Sequence, residues 1–286
     1  MPVRRTATLL ALLATCLLLA ACSRIDLAYR NLDHLVPWSL DDYLDMNREQ
    51  KHLLDERLKV HLAWHCQTQL PGYLDWLDQV RLMVANDAVT DQALRQRTAE
   101  ARQAIGRVAE AITPSASELL RGMSDAQVAT MRRAFHDDIA KRQQDYVDTP
   151  LAEQIDERAR RMQKRLRPWF GELSASQRLR VVNWSQALGD QNRQWIANRA
   201  HWQQQLALAM DQRDTPGFEP RLAQLLQHKE SLWTPEYRQA FQNTEQQARS
   251  LLVDLVRQSS PAQRAFLQQR LGKVRADFSG LKCLQG

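Results

Sequence analysis

The sequence predicts an all-α fold, an elongated array or bundle of about nine or ten helices with no sheet. Three observations carry that expectation. Glycine (9) and proline (10) are scarce among the 286 residues, and strong helix formers such as Ala, Leu, Gln, Arg and Glu abound. Apolar residues recur at three- and four-residue spacing through most of the chain. No sustained alternating run of β-branched residues and no Asn-Gly hairpin signal breaks that pattern.

Taken in order, Ile25, Leu27, Leu32 and Leu35 outline one amphipathic helix ending near Pro37, and Ser39 with Asp42 suggests a new start. Asn47 caps a helix to about Leu70 in which Leu54, Leu58, Leu62 and Cys66 recur every four residues; Pro71-Gly72 is expected to break it. A shorter, more apolar helix follows to about Asn86. Thr90 caps a long polar helix to about Ile112, and Thr113-Pro114 reads as cap plus first-turn proline of a short helix closed by Gly122. Ser124 opens a helix to about Val147. Thr149-Pro150 opens a basic one to Arg167, stopped by Pro168 and Gly171. Ser174 caps a helix to Leu188, and Gly189-Asp190 separates it from Gln191–Met210. After a loop from Asp214 to Pro220, helices are expected over Arg221–Leu232, Pro235–Gln258 and Pro261–Val274.

Four helix starts share a pattern: an apolar or small residue, then Ser or Asn, then Gln three positions on. They begin at Asn47, Ser124, Ser174 and Ser260, with Gln50, Gln127, Gln177 and Gln263 as the third helical residues. Such a capping box satisfies two orphan backbone donors, one through each side chain, and is worth about 1 kcal/mol. The starts are unevenly spaced, so they describe no regular solenoid.

Candidate chemistry is thin. His61 and His65 stand four residues apart beside Cys66, a spacing that puts two imidazoles on one helix face as metal sites do; two surface histidines are the simpler account, and no metal or cofactor is expected. Asp41, Asp42 and Asp45 beside Tyr43 would suit a carboxylate pair, or negative charge set at helix N-termini. No nucleophile elbow and no phosphate loop is found, so the chain reads as a non-enzyme. Trp184, Trp195 and Trp202 suit core packing or an interface anchor. The basic run Arg158–Arg167 reads as a solvated helix face, with anionic lipid headgroups as the other option.

The N-terminus is the most specific stretch. Arg4 and Arg5 precede an apolar run from Ala7 to Ala21, shorter than a spanning helix needs. Leu19-Ala20-Ala21-Cys22 resembles the lipobox of bacterial lipoproteins. That resemblance implies cleavage of residues 1–21 as a signal peptide, acylation of Cys22, a lipidated juxtamembrane segment over 22–38 and a helical periplasmic domain over 39–286. Three acyl chains exceed what stable anchoring takes. Ser23 after the cysteine implies the outer membrane, facing the periplasm, rather than the inner one.

With residues 1–21 removed, two arginines and no acid are lost, so the formal charge falls from +6 to +4. That mild, dispersed excess lacks the basic stripe nucleic-acid binding wants. Cys16 leaves with the leader and Cys22 carries lipid, so Cys66 and Cys283 remain as an even pair in an oxidising compartment. A disulfide between them is expected, with two buried free thiols as the alternative.

Taken whole, the chain resembles an uncharacterised family of helical lipoproteins of Gram-negative bacteria. The resemblance rests on the lipobox, on Asp26-Leu27-Ala28-Tyr29-Arg30-Asn31-Leu32-Asp33, on Trp38-Ser39-Leu40-Asp41-Asp42-Tyr43, and on Trp64-His65-Cys66 followed by Leu70-Pro71. Tyr29, Asp33, Trp38, Asp42 and Tyr43 from these stretches are the candidate interaction surface. The expected role is a membrane-tethered, non-enzymatic protein that binds or scaffolds an envelope protein or polymer along a groove between helices. The four Gln starts are also similar to the Leu-Thr-x-x-Gln motif of small helical periplasmic chaperones, which makes client holding the alternative. A peptidoglycan- or lipid-processing enzyme is the third reading.

Overall fold

The computed structural model describes residues 28–284, and among them every regular element is helical. The α-helices are α1 (Leu32–Leu44), α2 (Arg48–Trp64), α3 (Leu70–Ala85), α4 (Asp91–Arg121), α5 (Asp125–Tyr146), α6 (Leu151–Phe170), α7 (Ala175–Ala187), α8 (Gln191–Met210), α9 (Phe218–Gln227), α10 (Pro235–Arg257) and α11 (Pro261–Ser279). A π turn, His65–Gln69, joins α2 to α3; short 3₁₀ turns lie at Lys229–Leu232 and Lys282–Leu284. The all-helical class is as expected, with eleven α-helices described instead of nine or ten. Cys22 and the leader lie outside the described residues.

The differences from expectation are at prolines. Pro37 lies inside α1, and Ser39 and Asp42 with it, so no helix ends near Pro37 and none starts at Ser39. Leu40, Tyr43 and the buried Leu44 pack on the core beyond the proline, and that packing carries the helix through the lost bond. Pro71-Gly72 does not break the chain into two helices. The Leu70 N–H reaches back five residues to His65 O, and this wider turn takes up the proline ring without an exit from the helix. Thr113 is not a cap: its hydroxyl donates to Ala109 O at 2.6 Å, and α4 runs on through Pro114 because its last turns bury Leu119 and Leu120. Pro168 likewise sits inside α6, which continues until buried Phe170 and ends where Gly171 takes φ 68°. Thr149 does not cap α6, whose N-cap position is Pro150; α9 starts at Phe218 rather than Arg221, and α11 extends to Ser279 rather than Val274.

Two large cores hold the array. The first gathers Leu44, Met46, Leu119, Leu120, Met123, Val128 and Met131 from α1 to α5, closed by Leu206 and Met210 of α8 and by Phe218, Leu222 and Leu225 of α9. The second gathers Leu166, Phe170, Leu173, Val181, Trp184, Leu251, Leu255, Leu267 and Leu271 from α6, α7, α10 and α11, closed by Val84 of α3. Each half of the chain therefore lends an arm to the other: α8 packs on α5, and α3 packs on α11.

The four Gln starts meet in two pairs. Each Gln accepts its own cap residue's N–H, at 2.9 to 3.1 Å, while Asn47, Ser124, Ser174 and Ser260 accept from the Gln N–H in return. Gln127 Nε2 donates to Gln50 Oε1 at 2.7 Å and to Asp45 O at 2.8 Å, and Gln50 Nε2 donates to Gly122 O at 2.8 Å. In the second half, Gln263 Nε2 donates to Gln177 Oε1 at 2.9 Å and to Glu172 O at 3.0 Å. So α2 meets α5, and α7 meets α11, N-terminus to N-terminus through paired amides.

The basic run on α6 is not wholly a solvated face. Arg158 is buried, donating to Ser185 O and Gly189 O at 3.0 Å each, so that it caps the C-terminal end of α7. Burial pushes its guanidinium pKa down.

Gln177→Ala removes a cap, an amide pair and the partner of buried groups. It should cost about 2–3 kcal/mol in urea denaturation followed by circular dichroism, against about 1 kcal/mol for Thr90→Ala at an exposed cap. Equal small losses would mean that the pair adds nothing beyond an ordinary cap.

Candidate functional site

Two clefts open on either side of α4, the long helix at the centre of the array. The first, ≈ 510 Å³, is walled by α8 (Trp195, Arg199, Trp202), by Trp233 and α10 (Tyr237, Phe241), and by Arg102, Ile105, Gly106 and Ala109 of α4. The walls are fixed from behind. Trp202 Nε1 donates to Leu225 O at 3.0 Å. Trp233 packs on Phe241 with centroids 4.5 Å apart and edge-on to Tyr237 at 5.1 Å. Thr234 caps α10, and its N–H donates to Asn198 Oδ1 on α8 at 3.1 Å, which ties the two walls together.

The cations at this cleft are anchored. The Arg102 guanidinium lies 5.5 Å from the Phe241 ring centroid and is paired with Glu245. Arg199 bonds Asp138 at 2.6 Å, and Arg142 holds the same carboxylate at 2.8 Å while lying over Trp195. Burial pushes the Asp138 pKa up, but Arg142 and Arg199 together hold it below the usual carboxylate value. Burial raises the Tyr237 phenol. The result is an aromatic slot edged by ion-paired arginines, suited to apolar side chains.

The second cleft, ≈ 820 Å³, lies between α3 and α4. Gly72, Tyr73, Trp76 and Leu77 face Arg97, Ala101, Ala104 and Ile105, with Phe278 at one end. Trp76 Nε1 donates to Arg97 O at 3.0 Å. Ile105, 61% exposed, belongs to the rims of both clefts.

The Cys66–Cys283 bond joins the π turn to the C-terminal turn, with Cα atoms 6.2 Å apart. Around it Leu70, Leu281 and Cys66 form a third small core, flanked by Tyr29, Tyr73, Phe278 and Leu284. His65 sits between two phenols: Nδ1 is 3.1 Å from Tyr29 Oη, and Nε2 is 3.2 Å from Tyr73 Oη. Tyr29 also donates to Leu62 O at 3.3 Å. The segment entering α1 is thus pinned to the same point as the C-terminal turn, beside the second cleft.

Among the residues singled out in the sequence, Trp195 and Trp202 share the first cleft, whereas Trp184 is buried in the second core. His61 Nε2 pairs with Ser115 Oγ at 2.8 Å, so the two histidines are engaged with different partners. Asp41 and Asp42 lie in the last turn of α1 rather than at a helix N-terminus; Asp41 accepts from the Met46 N–H and from Lys51. Of the candidate surface, Trp38 (70% exposed) and Asp42 face solvent one turn apart, and Asp33 is half-buried. Tyr29 and Tyr43 turn inward, onto His65 and Phe135. The sequence reading missed Trp233, Tyr237 and Phe241. Their four-residue spacing was visible, but not that α8 and α4 leave that face open.

A family profile described as "Family of unknown function (DUF6279)" matches residues 42–238, from the last turn of α1 to the first turn of α10. The chain belongs to this family. The matched region carries the first core, both arms and nearly all of both clefts, while α11 and Cys283 lie beyond it. No curated protein and no solved structure matches the chain.

Burial lowers the His65 pKa from 6.5, and burial together with Arg57 lowers that of His61. A depressed folded-state pKa means that stability is full above pH 6.5 and falls as the unfolded chain takes up protons below it. Urea midpoints should therefore drop between about pH 7.5 and about pH 5, and His65→Gln should reduce that drop. An unchanged acid dependence in the variant would show that His65 does not contribute.

Proposed function

We propose that this protein is a lipid-tethered, non-enzymatic binding protein of the cell envelope, holding a partner polypeptide against the clefts beside α4. The lipobox Leu19-Ala20-Ala21-Cys22 supports the tether, and Ser23 favours the outer membrane, periplasmic side. The observation that carries the binding role is the aromatic slot of Trp195, Trp202, Trp233, Tyr237 and Phe241, bordered by anchored arginines. Large rigid rings at an open cleft are the groups that dominate protein interfaces.

A client-holding chaperone is the less favoured role. The Gln starts that resembled a chaperone motif are taken up in joining helix to helix, so they lend client holding no separate support.

Two measurements in intact cells test the reading. Cys22→Ala should move the protein out of the membrane fraction or leave it unprocessed, and unchanged mass and fractionation would remove the tether. A photo-crosslinking residue at Trp233 or Ile105 should capture a discrete partner that the same residue at exposed Val60 does not. Identical capture from all three positions would overturn the cleft.

A further inference from the structure

Core positions of one half of the chain recur in the other at fixed offsets within each helix. In the arms, Val80 and Val84 close the second core as Leu206 and Met210, each 126 positions later, close the first. In the helices they pack on, Leu119, Leu120, Met131 and Phe135 match Leu255, Val256, Leu267 and Leu271, each 136 positions later. One bond follows the same shifts at both ends. Arg132 Nη2 donates to Ala207 O at 3.2 Å; Gln268 Nε2, 136 positions on, donates at 3.0 Å to Arg81 O, 126 positions before Ala207. Glu118 and its counterpart Asp254 are each held by an arginine, Arg57 of α2 and Arg180 of α7, which stand one helical turn apart relative to their caps.

The same shifts carry one cleft onto the other. Trp76 becomes Trp202, Ala101 becomes Tyr237 and Ile105 becomes Phe241, each pair occupying the walls of its own cleft. Replacement of Ala101 by the bulkier Tyr237 accords with ≈ 820 Å³ against ≈ 510 Å³. Each cleft also borders a helical glycine with open space around it: a Cβ on Gly72 or on Gly106 would meet nothing within 4 Å. Glycine weakens a helix interior, and its use here leaves backbone open to close approach.

The chain itself indicates what fits against α4. Helix α9 lies antiparallel on its C-terminal half, from Phe218 beside Arg121 to Gln227, whose Nε2 donates to Thr113 Oγ1 at 3.0 Å. Its anchors Phe218, Leu222 and Leu225 follow helical spacing. Beyond Thr113 the same track continues one turn at a time to Ala109 and exposed Ile105, where the first cleft begins against Leu226 and Gln227 of α9.

We propose that the two clefts are duplicated copies of one binding site, and that each takes an amphipathic helix of a partner, the first by extending the interface α9 already makes. This rests on the binding role above and adds the shape of the occupant and its number. The test uses the full mature chain and a fluorescein-labelled peptide of about 18 residues, or five helical turns, with Leu at i, i+4 and i+7 and Glu outward. Two peptides should bind per chain with unequal affinity, and peptide helicity should rise. Gly72→Leu should remove the site at Trp76 and Gly106→Leu the site at Trp202, leaving one each, and the double variant should bind none. Circular dichroism and thermal melting confirm that the variants fold. A single site, or two sites indifferent to both substitutions, would overturn the duplication of the site while leaving crosslinking at Trp233 untouched. Absence of both peptide binding and cleft crosslinks would remove the binding role as well.

Discussion

The array depends on a pair of glutamine amides, used twice. Two helix N-termini brought face to face present like partial charges and eight unpaired N–H groups between them. Gln50 with Gln127, and Gln177 with Gln263, resolve that conflict. Each carbonyl oxygen takes an N–H of its own helix and the amide of its neighbour, and each NH₂ reaches a backbone carbonyl at the end of an adjoining helix. No apolar or charged side chain supplies donor and acceptor at that reach. The directionality of the amides fixes which ends meet, and the residues just before the caps, apolar Met46, Met123 and Leu173 and polar Ser259, are buried in consequence.

From those junctions the helices diverge, and what they enclose follows from where their far ends go. If α3 and α8 stayed with their own halves, two separate bundles would result. They cross instead, so Val84 completes a core built otherwise from residues beyond 150, and Met210 one built mainly from residues before 132. Crossing spreads α3 and α8 to either side of α4 and opens the clefts beside them. The tryptophans of the clefts are held by bonds of their own, Trp202 to Leu225 O and Trp76 to Arg97 O, and Trp202 also packs on the first core.

Much of this was legible in the sequence, and the misreadings share a cause. Helix class, most boundaries set by Ser, Thr or Asn caps, and the pairing of Cys66 with Cys283 were readable because they rest on local chemistry or on a short cysteine list. Pro37, Pro71, Pro114 and Pro168 were misread because the loss of one N–H is local while the packing that offsets it is not: buried Leu44, Leu70, Leu120 and Phe170 lie close to each proline. The Gln starts were visible, but their pairing was not, since nothing in an i to i+3 pattern names a partner 77 or 86 positions away. The duplication escaped for a related reason. Side chains diverged between the halves, with Arg132 against Gln268, while the bond each makes to a carbonyl of the arm was kept.

The exchanged arms also set an order of events during synthesis. A chain that emerges N-terminus first exposes Val80 and Val84 long before α11 exists to cover them, and the first core lacks Leu206, Met210 and α9 until well past its midpoint. Neither half can finish alone, so contacts of high sequence separation must form late and together. Cys283 appears only after α11, and its bond to Cys66 then closes a loop across 217 positions. The disulfide thus works as a latch on one arm, brought into register when α3 packs on α11.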